Sequence, residues 1–220
     1  MKRIIIIGEG QTEQSFCNDV LQPWFNEKGI YISNPVIKKT TGGIVNWAAL
    51  KFQIERHLLQ DPTAIVTTLI DYYGIYQHHR YPEWETAQKI NDKNIRMQTI
   101  ERAMNTDVRA DLQYRFVPYI QLHEFEGLLF SDIEVFDNNF ETAEFLNHEY
   151  LVQTIEAFPN PELINDSRET APSKRLSKII KGYSYQKVIY GSILAQEIGL
   201  AKIRAKCPRF NDWITQLEAI

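Results

Sequence analysis

Short apolar runs alternate along this chain with longer segments in which apolar residues recur at helical spacing. The first run, Ile4 to Ile7, consists of four β-branched residues, which is typical of a short strand buried on both faces. Strands that alternate with helices predict an α/β fold with a parallel sheet and right-handed crossovers. The predicted strands cover 3–8, 30–37, 64–70 and 115–122, and the predicted helices cover 12–28, 45–60 and 86–105.

The strand pattern does not continue into the last third of the chain. Residues 132–220 show helical periodicity, interrupted by a Pro-Asn-Pro sequence at 159–161 and by a polar loop at 165–173. We therefore expect an α/β core in residues 1–130 and a helical C-terminal extension in residues 131–220. The extension is expected to pack on the core, so that the two parts form one compact unit.

Composition and charge narrow the possible classes of protein. The 220 residues are 44% hydrophobic and 24% charged, as in an ordinary soluble globule. The formal net charge of −4 gives the whole molecule no polyelectrolyte attraction for nucleic acid, so any such binding must use local basic patches. Cys17 and Cys207 lack metal-ligand spacing, which indicates reduced core cysteines in a cytoplasmic protein. No apolar stretch is long enough for a signal peptide or for the roughly 18 residues that span a bilayer.

Acidic residues follow three of the four predicted strands. Glu9 lies between two glycines after the first strand, and Asp71 directly follows the third. Glu124 and Glu126 follow the fourth. Because the carboxyl ends of parallel strands lie at one edge of a sheet, we expect these carboxylates to converge on Mg²⁺ or Mn²⁺, which can activate water and stabilise the leaving oxygen of a phosphodiester. Acids also end strands simply because loops are polar, and this structural explanation stays open for each residue alone.

The orientation of Glu124 and Glu126 depends on the local structure. In an extended segment both side chains would face the same side. In a helix that begins at His123 they would point about 200° apart, and only Glu124 would reach a metal ion. Glu126 would then be a surface or helix N-terminal carboxylate. His123 itself suits either proton transfer, because histidine titrates near neutrality, or a structural hydrogen bond.

Basic side chains are needed to hold a phosphate and to offset charge in the transition state. Lys174 and Arg175 follow Ser173 at a predicted helix start, where a solvated helix face with Ser173 as N-cap is the alternative. The candidates for substrate binding are Lys38, Lys39, Lys174, Arg175 and Lys187.

The segment at 72–84 is rich in tyrosine, histidine and proline. Its aromatic side chains fit either stacking on unpaired bases or a packed lid. His78 and His79 invite a zinc interpretation, but adjacent histidines are expected to splay apart and no cysteine cluster supports such a site. We interpret the pair as part of a mobile surface loop.

The turn at Gly8 and Gly10 also permits a Rossmann-type nucleotide binder. Glu13 occupies the position of the third glycine in that fingerprint, and Glu9 would repel the pyrophosphate. The interpretation as a nucleotide binder is therefore weaker than the interpretation as a metal site.

Several blocks of the sequence resemble Toprim-like domains. The sequence Glu-Gly-Gln-Thr-Glu at 9–13 is similar to the Glu-Gly-x-Thr-Glu signature that follows the first strand of those domains. Over nearly its whole length the chain resembles a bacterial family of a domain of unknown function placed in the Toprim-like superfamily. That resemblance rests on Gly8–Glu13, Thr67–Gly74, His123–Asp132, Ser173-Lys174-Arg175 and the stretch from Gly191 to Ile214.

The resemblance implies a Toprim-like, Rossmann-like parallel sheet flanked by helices. Relatives of this fold include topoisomerase and primase catalytic domains and the overcoming-lysogenization-defect nucleases of phage defence. It thus implies a Mg²⁺- or Mn²⁺-dependent nuclease, a hydrolase acting on DNA or RNA, with an ATPase encoded nearby as a partner protein. In this interpretation Glu9 is a metal ligand or general base, and Lys174 contacts a phosphate. The further metal ligands are Asp71, Glu124 and Glu126.

One position departs from the Toprim pattern. These domains usually carry Asp-x-Asp, and Tyr73 stands in the place of the second aspartate. One metal ligand is then missing unless Glu124 or Glu126 supplies it, which favours a one-metal site or an inactive one. Tyr73 can instead hydrogen-bond to a substrate or stack on it. The alternative function is therefore a non-catalytic Toprim-like subunit that docks on an ATPase or toxin partner.

Overall fold

A sheet of five strands lies at the centre of the protein. The computed structural model describes residues 2–38, 44–165 and 167–220. Every strand pairing in this sheet is parallel, which confirms the predicted α/β fold. The strands are β1 (Lys2–Gly8), β2 (Ile30–Ser33), β3 (Ile65–Asp71), β4 (Phe116–Val117) and β5 (Ile120–Gln121).

The two most apolar strands occupy the middle of the sheet. The order is β2-β1-β3-β4, and β5 pairs with β3 beyond the end of β4. Gly8, the last residue of β1, pairs with Leu69 of β3. The carboxyl ends of these strands therefore lie side by side, and Asp71 at the end of β3 lies near the turn that contains Glu9.

Helices flank the sheet and form most of the chain after residue 130. In the described part of that segment the regular structure is helical, as predicted. The exception is one antiparallel bridge between Phe145 and Ile180. A π-helical turn, Cys17–Leu21, joins the first two helices. The helices are α1 (Gln11–Phe16), α2 (Gln22–Asn26), α3 (Trp47–Gln60), α4 (Trp84–Gln88), α5 (Lys93–Asp107), α6 (Ile133–Asn139), α7 (His148–Ala157), α8 (Pro172–Ile179), α9 (Lys187–Lys206) and α10 (Pro208–Glu218).

Three predicted elements have different bounds in the structure. The second strand ends at Ser33, and Val36 beyond it makes only an isolated bridge to Gly8. The fourth strand is divided into β4 and β5 around Pro118, because proline has no N–H to donate to the ladder. The predicted helix at 86–105 is two helices, α4 and α5.

Alternate residues of β1 pack into two clusters, one on each face of the sheet. Ile5 and Ile7 belong to a cluster with buried residues of α3 and α5. Ile4 and Ile6 belong to a second cluster, which also contains Phe16 of α1 and buried residues of α8, α9 and α10. The helical extension therefore shares a hydrophobic core with one face of the sheet.

Both cysteines lie in this interior. Cys17 and Cys207 are free and buried, which confirms their prediction as core residues. Burial raises the pKa of both thiols, so they stay protonated and unreactive. None of the helices in the described ranges combines the length and the apolar character required to cross a membrane.

Candidate functional site at the acidic edge of the sheet

The turn between β1 and α1 carries two carboxylates, Glu9 and Glu13. Glu13 is buried, and its Oε2 accepts a hydrogen bond from the Gly10 N–H at 2.8 Å, which satisfies a free donor at the start of α1. A Cβ atom at Gly8 would lie 3.2 Å from the Glu13 Cβ, so glycine permits this close approach. The sequence thus holds Glu13 inside the turn and leaves Glu9 half-buried at the edge of the sheet.

Asp71 connects the end of β3 to the residues that follow β1 and β5. Its Oδ1 accepts a hydrogen bond from the Phe125 N–H at 2.9 Å. Its own N–H donates to Glu9 Oε2 at 3.4 Å. The next turn is fixed to the same place, because the Tyr73 N–H donates to the His123 carbonyl oxygen at 3.0 Å. The structure therefore brings the acidic residues of three strand ends to one edge.

Glu124 and Glu126 have different partners. Glu124 is extended, with φ −140° and ψ 152°, and its Oε2 accepts a hydrogen bond from the Ser173 N–H at 2.9 Å at the start of α8. Glu126 lies in the 3₁₀-helical segment Phe125–Ser131 and is 1% exposed. Its Oε1 is 2.5 Å from Lys187 Nζ on α9. The chain is thus extended at the first glutamate and helical at the second, a combination that neither sequence-based alternative described.

The Asp71 carboxyl group lies in a strongly negative environment. Burial raises its pKa well above the usual range. The carboxylates of Glu13, Glu9 and Glu124 raise this pKa further. The ammonium group of Lys187 acts in the opposite direction without cancelling the effect. Negative charge at this edge therefore exceeds the local positive charge, a condition that attracts a cation.

His123 has contacts that favour the structural interpretation over proton transfer. Burial, and then the charges of Lys93 and Arg96, lower its pKa to about 3, so the ring is neutral near pH 7. One ring nitrogen is 3.1 Å from Lys93 Nζ, and the other is 3.5 Å from the side-chain amide of Asn165. The residue has a φ of 67°, a left-handed conformation that is costly for histidine.

The basic candidates are not all brought to the acidic edge. Lys187 lies there, and Lys174 is exposed near it at the start of α8. Lys38 lies beside α3 instead, where its backbone N–H donates to a side chain of that helix. Lys39 falls outside the described residues.

Arg175 is buried in the helical extension. Its guanidinium group donates to the Thr170 carbonyl oxygen at 2.8 Å and to Thr154 Oγ1 at 3.1 Å. The same group lies over the rings of Tyr150 and Phe158, at 5.4 and 5.3 Å from their centroids. These contacts hold the Arg175 side chain between α7 and α8, and it does not reach the acidic edge.

The aromatic segment after β3 is largely packed. The rings of Tyr72 and Trp84 lie 5.6 Å apart, which favours the packed-lid interpretation for them. The expectation that His78 and His79 splay apart is wrong, since their ring centroids are 4.1 Å apart. The cause is local: His79 Nδ1 accepts a hydrogen bond from the Tyr76 N–H at 3.0 Å and turns its ring back towards the chain.

The donor chemistry of the edge fits a hard divalent cation. Glu9, Asp71 and Glu124 offer carboxylate oxygens, the ligands that Mg²⁺ and Mn²⁺ prefer. One oxygen of Asp71 and one of Glu124 are engaged by backbone N–H groups. Among the described residues, no group of three or more His, Cys, Asp or Glu side chains is arranged to hold a metal ion. Metal binding would therefore require these carboxylates to rotate towards one another.

Sequence reasoning did not assign two residues that the structure places at this edge. Glu13 had a readable signal, because it stands three residues after Gly10 in the pattern of a capping box. Tyr183 is buried, and the charge of Glu124 adds to burial in raising the pKa of its hydroxyl group. A single tyrosine in a helical segment carries no signal of that kind. The pairing of Lys187 with Glu126 was also missed, since it joins residues from distant parts of the chain.

Similarity to known proteins extends over nearly the whole chain. A comparison with curated proteins found no match. Among solved structures, the chain is similar to the C-terminal region of the Xanthomonas campestris pv. campestris OLD protein, with 14% identity, a TM-score of 0.38, and coverage of 99% of this chain and 96% of that one. A likeness of this strength supports no argument about activity. Residues 8–218 match the model of the family described as "Domain of unknown function (DUF4276)". Because that match covers nearly the whole chain, the protein belongs to the DUF4276 family.

Proposed function

We propose that this protein hydrolyses phosphodiester bonds in nucleic acid, with Mg²⁺ or Mn²⁺ bound at the acidic edge of the sheet. The observation that supports the proposal is the position of Glu9, Asp71 and Glu124 at one edge of the sheet, where burial and the neighbouring carboxylates raise the Asp71 pKa. Concentrated carboxylates destabilise a fold, so a cluster of them points to a function that requires it. A divalent cation supplies both the missing positive charge and the reason for the cluster.

The carboxylates share the binding of the ion in this proposal, and Glu9 has a second task. Glu9, Asp71 and Glu124 would hold the ion through their oxygens. A bound Mg²⁺ or Mn²⁺ supplies Lewis acidity, which lowers the pKa of water and stabilises the leaving oxygen of the phosphodiester. Glu9 is also assigned as the proton acceptor for the attacking water, because its half-buried carboxylate lies beside Asp71 at the edge of the sheet.

Lys187 is assigned to the phosphate. Its side chain is 44% exposed, and its Nζ lies against buried Glu126, which orients the ammonium group. Glu126 acts in this proposal as a positioning residue rather than as a ligand. An oriented ammonium group beside Asp71 offsets negative charge on a phosphate oxygen in the transition state. Lys174, exposed at the start of α8, contacts a neighbouring phosphate.

The first test is Mn²⁺ binding by calorimetry. The wild type is compared with a Glu9→Gln, Asp71→Asn double variant and with a Glu197→Gln, Asp111→Asn control, whose residues are exposed elsewhere. We expect binding by the wild type and the control and none by the double variant, with melting temperatures within about 4 °C of one another. Binding by the double variant, or none by the wild type, would contradict the proposed site.

Cleavage is tested on the same proteins with labelled single-stranded and duplex DNA and RNA. We expect Mn²⁺-dependent cleavage that Glu9→Gln abolishes and Glu197→Gln retains. Lys187→Ala should lower the cleavage rate by 10²-fold or more, in the range found for removal of a transition-state charge contact. Retained cleavage in Glu9→Gln would remove that residue from the mechanism.

A second candidate function is a non-catalytic subunit that docks on an ATPase or toxin partner. Tyr73 favours it, because a half-buried tyrosine stands where a second aspartate would be expected and its N–H is fixed to the His123 carbonyl. Absence of Mn²⁺ binding by folded wild-type protein would support this candidate. Mn²⁺ binding together with cleavage by the isolated chain would rule it out.

A further inference from the structure

A groove separate from the acidic edge lies on the outer side of α3. It has a volume of about 380 Å³. Its walls combine positively charged, aromatic and amide side chains, and Lys38, which follows β2, lines one side. The lining residues are Lys38, Ala49, Phe52, Gln53, Arg56, His57 and Gln60.

Buried Gln53 fixes the groove relative to the acidic edge. Its Oε1 accepts a hydrogen bond from the Lys38 N–H at 3.2 Å, and its Nε2 donates to the Val36 carbonyl oxygen at 3.1 Å. Ile37, between Val36 and Lys38, is bonded to the end of β1, since its N–H donates to the Gly8 carbonyl oxygen at 2.9 Å. Lys38 is therefore held beside the end of β1, and Glu9 is the residue that follows this strand.

Positive charge collects in this groove although the chain as a whole is acidic. Lys38 and Arg56 are both exposed. Burial lowers the pKa of His57, and the charges of Lys38 and Arg56 lower it further, so the imidazole is neutral near pH 7 and can donate or accept a hydrogen bond. The groove thus presents two permanent cations and a neutral ring.

An exposed aromatic ring stands among these cations. Phe52 is 68% exposed, on the same helix as Arg56 and one turn before it. A phenylalanine on a helix face gains stability from burial, so a ring left in water beside positive charge offers a surface for a flat, anionic ligand. Nucleic acid combines flat bases with phosphates at this scale.

We propose that the α3 groove binds single-stranded nucleic acid, with phosphates on Lys38 and Arg56 and a base stacked on Phe52, and leads the strand to Glu9. This inference rests on the proposed function, because it assigns a path to that substrate. A single strand is preferred to a duplex because a base must be unstacked to lie on Phe52. The amides of Gln53 and Gln60 and the ring of His57 remain for polar contacts with sugar and base.

The test measures binding without cleavage. A fluorescein-labelled dodecamer of thymidylate is titrated with each protein in EDTA, and fluorescence anisotropy is recorded at several salt concentrations. Phe52→Ala is expected to weaken binding by about fivefold or more, the range for loss of one base–aromatic stack. Arg56→Gln should reduce the slope of log K against log salt by about 0.7, as expected for one lost phosphate contact on a single strand.

Matched controls separate the groove from general surface effects. Leu59→Ala removes another exposed apolar side chain of α3, and Arg102→Gln removes an exposed charge of α5. Both should bind the oligonucleotide as the wild type does. Phe52 and Arg56 are exposed, so their variants are expected to keep the circular dichroism spectrum of the wild type.

The outcomes also distinguish this inference from the proposed function. If Phe52→Ala and Arg56→Gln bind as tightly as the wild type, or if the wild type does not bind, the groove assignment is overturned. Mn²⁺ calorimetry, which does not involve the groove, then reports independently on the acidic edge.

Discussion

The carboxylates at the acidic edge differ in what surrounds them. Glu13 is stabilised by the turn that it closes, because it accepts the Gly10 N–H. Glu126 is buried beside the ammonium group of Lys187. Asp71 neither closes a turn of this kind nor has, among the described residues, an ammonium group as a direct partner. Its pKa is raised by burial and by three neighbouring carboxylates. This contrast explains why we assign Asp71 to ion binding and the other two to the support of the site.

Glu162 provides a prediction at the residue scale that is independent of the acidic edge. It accepts hydrogen bonds from the Arg209 and Phe210 N–H groups at the start of α10, at 2.9 and 3.0 Å. Burial nevertheless raises its pKa from 4.5 to about 7. A folded-state pKa above the unfolded value means that the folded protein holds this proton more tightly. The free energy of unfolding should therefore fall as pH rises from about 4.5 to 7, by about 3 kcal/mol from this group.

Urea unfolding between pH 4.5 and pH 8 tests this expectation. The difference in unfolding free energy between wild type and Glu162→Gln should shift by about 3 kcal/mol across that range, in favour of the variant at high pH. Glu156→Gln, at an exposed position of α7, should show no such shift. Parallel pH curves for wild type and Glu162→Gln would contradict the raised pKa.

The residue types at the site were readable from the sequence, whereas their pairings were not. The position of Glu9, Asp71 and Glu124 at one edge of the sheet could be predicted, because the end of a parallel strand fixes where the next residue lies. The pairing of Lys187 with Glu126 could not, since it depends on how α9 packs against the segment after β5. Arg175 shows the converse: its charge predicted an exposed contact, but aromatic neighbours and carbonyl oxygens hold it inside.

At the scale of elements, the short edge strand β4 is covered by side chains rather than by another strand. Asn105 of α5 donates through Nδ2 to the carbonyl oxygens of Phe116 and Gln113, at 2.7 and 2.9 Å. The Ile120 N–H in β5 donates to Glu101 Oε1 at 2.7 Å. These contacts satisfy backbone groups that an edge strand would otherwise leave unpaired.

We expect Asn105→Ala to lower the free energy of unfolding by about 1–3 kcal/mol, because two carbonyl oxygens lose their donor. Urea unfolding monitored by circular dichroism measures the change. Asn91→Ala, at an exposed position before α5, serves as the control and should lie within about 0.5 kcal/mol of the wild type. An equally small effect of Asn105→Ala would show that water satisfies these carbonyl groups instead.

Element boundaries were predicted well where one local signal was dominant. The apolar runs of β1 and β3 end in a glycine turn and an aspartate, and both strands were placed correctly to within a residue or two. The division between α4 and α5 was missed because a hydrophobic stripe continues through it. Asp92, which accepts the Ile95 N–H at 2.9 Å, is the capping signal that marks the start of α5.

At the scale of the whole molecule, the sheet and the helical extension share one core. Trp213 of α10 donates through Nε1 to Thr67 Oγ1 in β3 at 2.9 Å. Leu194 and Phe210 belong to the same hydrophobic cluster as Ile4 and other residues of the sheet. Sequence periodicity identified the extension as helical, but its contacts with the sheet arise from burial between distant segments, which periodicity does not encode.

We therefore expect the whole chain to unfold in a single transition. Urea curves recorded by circular dichroism and by tryptophan fluorescence should coincide. A fragment of residues 1–130 should instead lack a cooperative transition and bind an apolar dye, because one face of its sheet would lose the cover supplied by α8, α9 and α10. A fragment that unfolds cooperatively with a midpoint near that of the whole chain would mean that the core of residues 1–130 is stable alone, and that the extension serves the acidic edge through Lys174 and Lys187 without being needed for the fold.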